Sequence, residues 1–224
     1  MEESRKVAFF DFCETLANFQ TADAYVDFVR EHIGTKRMYR LERVLYFFYK
    51  FRFLQILDRL TCRRFSLNKK FKLFQLKGIG LSTLDEMAYL YYMQMIKPNL
   101  IGELIETLKR YHNSGYLIIL VSGGYHIYLK YFAQEYPVDE IISTKIQFKN
   151  GVCTGKLDGL DCLGKNKILL LNIRFRENSA ESVAFSDSIT DLPFLKWVKK
   201  GFVVSKKEHQ NWVDKYNLKE IIWN

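Results

Sequence analysis

Apolar residues along this chain fall into two rhythms. Short, mostly apolar runs recur at residues 7–10, 116–121, 182–185 and 201–204, and residues 138–142 are expected to add a further strand. Apolar runs of that length without alternation suit strands buried on both faces of a parallel sheet. The other rhythm is helical. It predicts helices over residues 21–33, over 36–60, whole or broken once, and over 66–76. Ser82 and Thr83, each followed three residues later by Asp85 and Glu86, give overlapping capping boxes for a helix reaching Ile96. Pro98 is expected to open a further helix, with Ile101, Leu104, Ile105 and Leu108 on one face and Gly115 as its stop. Helices are also expected over 125–134 and 164–171, and Asn150-Gly151 should join residues 145–149 and 152–156 as a β-hairpin. The tail to Trp223 should cover a sheet edge. The pattern is therefore α/β: a parallel sheet whose first strand is separated from the others by an all-helical insert.

Composition narrows the class. An apolar share of 48% over 224 residues is enough for a substantial core. No apolar run reaches the roughly 18 residues of a spanning helix. The charged start MEESRK leads straight into the first strand and leaves no room for a secretory signal. Cys13, Cys62, Cys153 and Cys162 are scattered without a C-x-x-C pair, which points to a reduced, cytoplasmic protein rather than a disulfide or zinc scaffold.

Charge adds one feature. Of the net charge of +9, residues 34–80 carry thirteen Lys or Arg against only Glu42 and Asp58. Two accounts stay open for this segment: a solvated helical face, or a surface that attracts anionic substrates or membrane headgroups. No nucleic-acid reading motif accompanies the charge, and no nucleic-acid partner is expected.

Candidate chemistry lies where strands end. Asp11 follows the first strand, with Thr15 close behind. Ser122-Gly123-Gly124 follows the second and precedes a helix, a combination of hydroxyl and free N–H groups that suits an anion. Lys165 and Lys167 sit at the start of the 164–171 helix. Asp187 and Asp191 follow the strand at 182–185.

These four clusters, in this order, resemble the signatures of the haloacid-dehalogenase-like phosphatases. The runs VSGGY (121–125), GKNK (164–167) and FSDSITDLP (185–193), together with the helical insert, are most similar to the phosphoserine-phosphatase-like branch. The resemblance implies a Rossmann-like core formed by residues 1–17 and 97–224, with an all-helical cap over 18–96. It implies a cytoplasmic phosphomonoester hydrolase in which Asp11 attacks phosphorus to give an aspartyl-phosphate. Mg²⁺ would be held by Asp11, Asp187 and the backbone carbonyl of Cys13. Ser122, the Gly123 N–H and Lys167 would hold the phosphoryl oxygens, Thr15 would fix the loop, and Asp191 would orient Lys167 or a metal-bound water.

Two departures from that family matter. Cys13 stands where a second aspartate usually protonates the leaving alkoxide and activates water. A thiol of pKa near ~8.5 is a weak donor at neutral pH, and general acid–base help is worth roughly 10²–10⁴-fold. Glu14 is the nearest substitute in sequence, but its side chain is expected to point away. Gln20 stands where phosphoserine phosphatases bind the substrate ammonium with a glutamate. This disfavours phosphoserine and favours a sugar, polyol or amino-alcohol phosphate, of the kind used in surface-polysaccharide synthesis. The alternatives are phosphotransfer to an acceptor other than water, and a catalytically weak member whose basic cap binds an anionic partner.

Overall fold

The computed structural model describes residues 6–34, 67–175 and 181–224. The helix expected over 36–60, the start of the one expected over 66–76, and most of the basic segment lie outside the described residues. Strands β1 (Val7–Phe10), β2 (Leu117–Tyr125), β3 (Glu140–Lys149), β4 (Val152–Asp158), β5 (Ser182–Ser186), β6 (Lys200–Lys206) and β7 (Lys219–Trp223) form one sheet. Their order is β4-β3-β2-β1-β5-β6-β7. Neighbours run parallel except β3 and β4, which are antiparallel. The helices are α1 (Thr21–Ile33), α2 (Leu67–Phe74), α3 (Leu81–Tyr91), α4 (Gly102–Asn113), α5 (His126–Glu135), α6 (Lys165–Leu171), α7 (Leu192–Trp197) and α8 (Asn211–Lys215).

The apolar runs explain why the sheet is sandwiched. Alternate residues of a strand face opposite sides, and here both sides are covered. Ala8, Phe10, Ile118 and Leu120 face a cluster that includes Tyr25, Tyr91 and Tyr128 from α1, α3 and α5. Val7, Phe9, Ile119 and Val121 face Phe194, Trp197 and Val213 on the other side. Each fully buried Phe contributes roughly 1.5–3 kcal/mol of hydrophobic stabilisation. The first cluster runs without a break from the sheet into the helices that follow β1. Where the chain leaves and re-enters the sheet layer, its two passes lie side by side. Asn18 N donates to Asn99 O at 2.9 Å and Ile101 N donates to Leu16 O at 2.8 Å.

Several expectations are corrected. Pro98 does not open a helix. It lies in a 3₁₀ turn, Lys97–Asn99, that ends the α3 segment after a wide π-helical turn, Tyr92–Ile96. Leu100 and Ile101 are then drawn out beside Leu16 and Ala17, so α4 starts at Gly102. Neither Ser82 nor Thr83 caps α3. Gly80 takes the N-cap position, with no side-chain cap bond. The reason lies next door, where residues 78–80 pair with β4 through Gly78 N to Cys153 O and Cys153 N to Ile79 O, and Leu81 N reaches Gly151 O in the hairpin turn. The separate strand expected at 138–142 is continuous with the first arm of the hairpin as β3. Asn150 and Gly151 turn that hairpin with φ of 51° and 74°, as a two-residue I′ turn requires. The tail goes further than covering an edge, because β7 becomes the edge strand beside β6.

Topology places the site. From β1 the chain goes to β2 on one side and only later returns to β5 on the other. Phe10 is level with Leu120 of β2 and with Phe185 of β5. The residues that follow these three strands therefore share one crevice, at the switch point where open α/β sheets bind ligands.

Candidate active site

Asp11 is the first residue beyond β1, and its N–H donates to Phe185 O at 2.9 Å, which ties it to β5. The chain then coils on itself, with the amides of Leu16 and Ala17 both donating to Phe12 O. Glu14 adopts φ of 55° within that coil. Such left-handed backbone is costly for a side-chain residue and collects at functional loops. Its effect is directional. Asp11 and Cys13 are turned inward and buried, whereas Glu14 is exposed and accepts a hydrogen bond from the Gln20 side-chain amide.

Lys167 occupies the first turn of α6 and is 1% exposed. Its Nζ lies 3.0 Å from Asp11 Oδ2 and 2.5 Å from Asp191 Oδ2. Ser186, the last residue of β5, donates to Asp191 Oδ2 at 2.7 Å and sits 3.4 Å from Asp11 Oδ2. The other Asp11 oxygen accepts from Phe12 N at 2.7 Å. Burial works against the Lys167 charge, but Asp11 and Asp191 outweigh it and hold its pKa above the ordinary lysine range. Burial pushes Asp11 up to about 6. The Asp191 charge adds to that rise, and Lys167 holds it back.

Half-buried Asp187 is pushed up to about 8, by burial first and then by the charges of Asp11 and Glu14. Thr15 secures it. Thr15 Oγ1 donates to Asp187 Oδ1 at 3.2 Å and accepts from Asp187 N at 3.1 Å. Carboxylates crowded until their charges cost this much form an oxygen-rich spot that suits a hard divalent cation. Among the described residues no group of three or more His, Cys, Asp and Glu side chains converges as a metal site. The donor set expected from sequence needs only two, with a main-chain carbonyl and waters completing it.

Cys13 turns to the other wall. Its Sγ lies 3.0 Å from Thr21 Oγ1 and 3.9 Å from Ser122 Oγ, and Thr21 Oγ1 is 2.8 Å from Tyr128 Oη. Burial, and then the Asp11 charge, push its thiol pKa up. It therefore stays neutral in ordinary buffers. Ser122 is fully buried, and its Oγ accepts from Gly124 N at 3.0 Å. β2 continues as a strand through Ser122-Gly123-Gly124, and α5 starts only at His126. The expected anion-binding turn therefore lies at the strand end, two residues ahead of the helix. The glycines are there for close approach. A Cβ on Gly123 would lie 2.4 Å from Leu163 Cδ2, and one on Gly124 would lie 2.8 Å from Tyr128 Oη.

The structure thus joins Asp11, Lys167 and Asp191 directly, pairs Thr15 with Asp187, and sets Ser122 beside Cys13. Of the two lysine candidates, Lys165 is exposed and Lys167 is inside. Gln20 stands at the rim on Glu14, exposed, with its amide already engaged. Sequence reasoning missed Ser186 and Thr21. Ser186 lay inside the FSDSITDLP run as the residue before Asp187, and Thr21 registered only as a helix start.

Comparison with known proteins identifies the family. Residues 8–196 match the pattern of the haloacid dehalogenase-like hydrolases. A phosphoserine phosphatase of Methanocaldococcus jannaschii is 26% identical over 99% of this chain and 98% of its own. Among solved structures, a Bordetella pertussis protein of unknown function superposes with a TM-score of 0.75 at 18% identity, covering 97% of this chain and 98% of that one. A phospho-aspartyl intermediate analogue of phosphoserine phosphatase gives 0.61 at 18% identity, covering 97% and 93%. The chain belongs to the haloacid dehalogenase-like hydrolase family, as an enzyme of its phosphoserine-phosphatase-like branch.

Proposed function

We propose that this enzyme is a Mg²⁺-dependent phosphomonoesterase that works through an aspartyl-phosphate on Asp11. The observation that carries the reading is the buried Lys167, bonded at once to Asp11 and Asp191 at the crevice end of β1 and β5. A phosphate monoester repels an attacking carboxylate, so attack needs fixed positive charge beside both partners. Lys167 supplies it, and Asp191 with Ser186 holds Lys167 in place. An Asp11 oxygen bonds to phosphorus as the ester P–O bond breaks, and the departing alkoxide takes a proton from solvent water. Water then displaces the carboxylate, which releases inorganic phosphate and restores Asp11. Ser122 and the Gly123 N–H would oppose charge on the phosphoryl oxygens. Asp11, Asp187 and the Cys13 carbonyl would hold Mg²⁺, which when bound neutralises phosphate charge.

The substrate we assign is a small phosphorylated sugar, polyol or amino alcohol. Glu14 and Gln20 at the rim offer an amide and a carboxylate but no cation-binding glutamate at position 20. The helices between β1 and α4 serve in this reading as a cap over residues 18–96, on a core of 1–17 and 97–224. The adjacent crossing points at Leu16–Asn18 and Asn99–Ile101 support that division. Among the described residues no helix is long and apolar enough to cross a membrane. The described cysteines, Cys13, Cys153 and Cys162, are buried and unpaired, which suits a reducing compartment such as the cytoplasm.

One observation favours a second reading, phosphoryl transfer to an acceptor other than water. The position that would activate water carries Cys13, whose thiol is turned to Thr21 rather than to a carboxylate. The test is phosphate release across a panel of phosphate esters, with Mg²⁺ and with EDTA, for wild type and Asp11→Asn. Mg²⁺-dependent release by wild type alone supports hydrolysis, and equal release by Asp11→Asn overturns the mechanism.

A further inference from the structure

A second lysine is buried where the sequence showed only a basic stretch. Lys69, in the first turn of α2, is 7% exposed. Its Nζ donates to Asp161 Oδ1 at 2.5 Å, to the Gly123 carbonyl at 2.5 Å and to Thr144 Oγ1 at 3.2 Å. It also stands 5.1 Å from the centre of the Tyr125 ring. Taking an ammonium out of water is costly unless good partners replace the water. Here a carboxylate, a carbonyl, a hydroxyl and a ring face do so.

These partners belong to the parts of the enzyme that handle phosphate. The carbonyl that Lys69 holds is one end of the Gly123–Gly124 peptide. The N–H at the other end of that peptide donates to Ser122 Oγ at 3.0 Å. Fixing the plane of this peptide fixes the Ser122 oxygen and leaves its proton to point at an incoming phosphate. Asp161 in turn lies in the loop leading into α6, and its carbonyl accepts from Asn166 Nδ2 at 3.0 Å, one residue before Lys167. Leu163, from the same loop, is what a Cβ on Gly123 would strike. One ammonium from the helical segment therefore grips both the Ser122 strand end and the loop that delivers Lys167.

We infer that Lys69 is a positioning residue. Docking of α2 through the Lys69–Asp161–Thr144 cluster sets the Gly123–Gly124 peptide, so the phosphoryl site is complete only when this helix is seated. The inference rests on the phosphatase reading, but it can be tested apart from it. Three proteins are compared: wild type, Lys69→Met, and the double variant Lys69→Met/Asp161→Leu. The single change strands a buried carboxylate and should lower Tm. The double change removes both charges and should recover most of that loss. Both variants should lose kcat/KM on a phosphate ester by about 10–100-fold, as small misplacements of binding groups do, and should bind inorganic phosphate more weakly. A double variant that recovers activity together with Tm would reduce Lys69 to a structural pin and overturn the inference. Amide exchange supplies a readout that does not need turnover. Lys69→Met, or the double variant if the single one is too unstable to purify, should exchange the Gly124 N–H faster than wild type. Unchanged exchange there refutes the positioning role, even if wild type hydrolyses none of the esters tried.

Discussion

Among the described residues two lysines are buried, each 2.5 Å from an aspartate oxygen, yet they do different work. Lys69 faces one carboxylate, and its other donors are taken by a carbonyl and a hydroxyl. One carboxylate matches its charge and each of its donors has a partner, which is how a charge is used to hold two pieces of chain together. Lys167 faces Asp11 and Asp191, with Asp187 near enough to Asp11 to be pushed up by it. That site has more negative charge than its lysine balances. Such an excess is characteristic of sites that a cation or a substrate completes.

The contrast can be broken most directly at Lys167. Removing a donor aimed at developing charge typically costs about 10²–10³-fold in kcat. Lys167→Met should lose at least that much, well beyond the loss for Lys69→Met. Comparable kcat values for the two variants would erase the distinction. Asp187→Asn gives the next effect. In EDTA it should be more stable than wild type, because a neutral amide avoids the cost of burying a charge there and the repulsion from Asp11 and Glu14. Added Mg²⁺ should raise the Tm of wild type, which binds it only when folded, and leave that of Asp187→Asn nearly unchanged. Thermal scans with and without Mg²⁺ test this, and an equal Mg²⁺ shift in both proteins would remove Asp187 from the metal site.

Much of this was legible in the chain. The buried runs gave the strands, and Asp11, Ser122, Lys167, Asp187 and Asp191 stood at strand ends or helix starts where topology brings them together. What was not legible depends on distant contacts. Residues 67–77 carry Lys69, Lys70, Lys72 and Lys77, and nothing in that run marks which one is buried. The choice is made by Asp161 and Thr144, which are far off in sequence and unremarkable in their own segments. Likewise Ser82 and Thr83 had the right spacing to cap α3, but backbone pairing of residues 78–80 with β4 overrode them. Pro98 had a helix-opening signature, yet the pull of Leu100 and Ile101 toward Leu16 delayed α4.

Cys13 offers a smaller effect that sharpens the comparison from the other wall. Its thiol is buried against Thr21 and Ser122 and is pushed toward the neutral form. Cys13→Asp should speed hydrolysis of an alkyl phosphate by about tenfold or more and change an aryl phosphate little, because a positioned acid matters in proportion to leaving-group basicity. Measured kcat on one ester of each kind decides this. A uniform change on both would leave Cys13 as a packing residue of the Asp11 loop.

The central claim is that Asp11 carries the phosphoryl group between substrate and water. It is tested most directly by acid-quenching the enzyme during turnover in Mg²⁺ and mapping bound phosphate by peptide mass spectrometry. The account predicts a hydroxylamine-labile phosphoryl group on Asp11 in wild type, none in Asp11→Asn, and a larger trapped fraction with Cys13 than with Cys13→Asp. Phosphate release by Asp11→Asn at the wild-type rate, or a label carried by another residue, would contradict it.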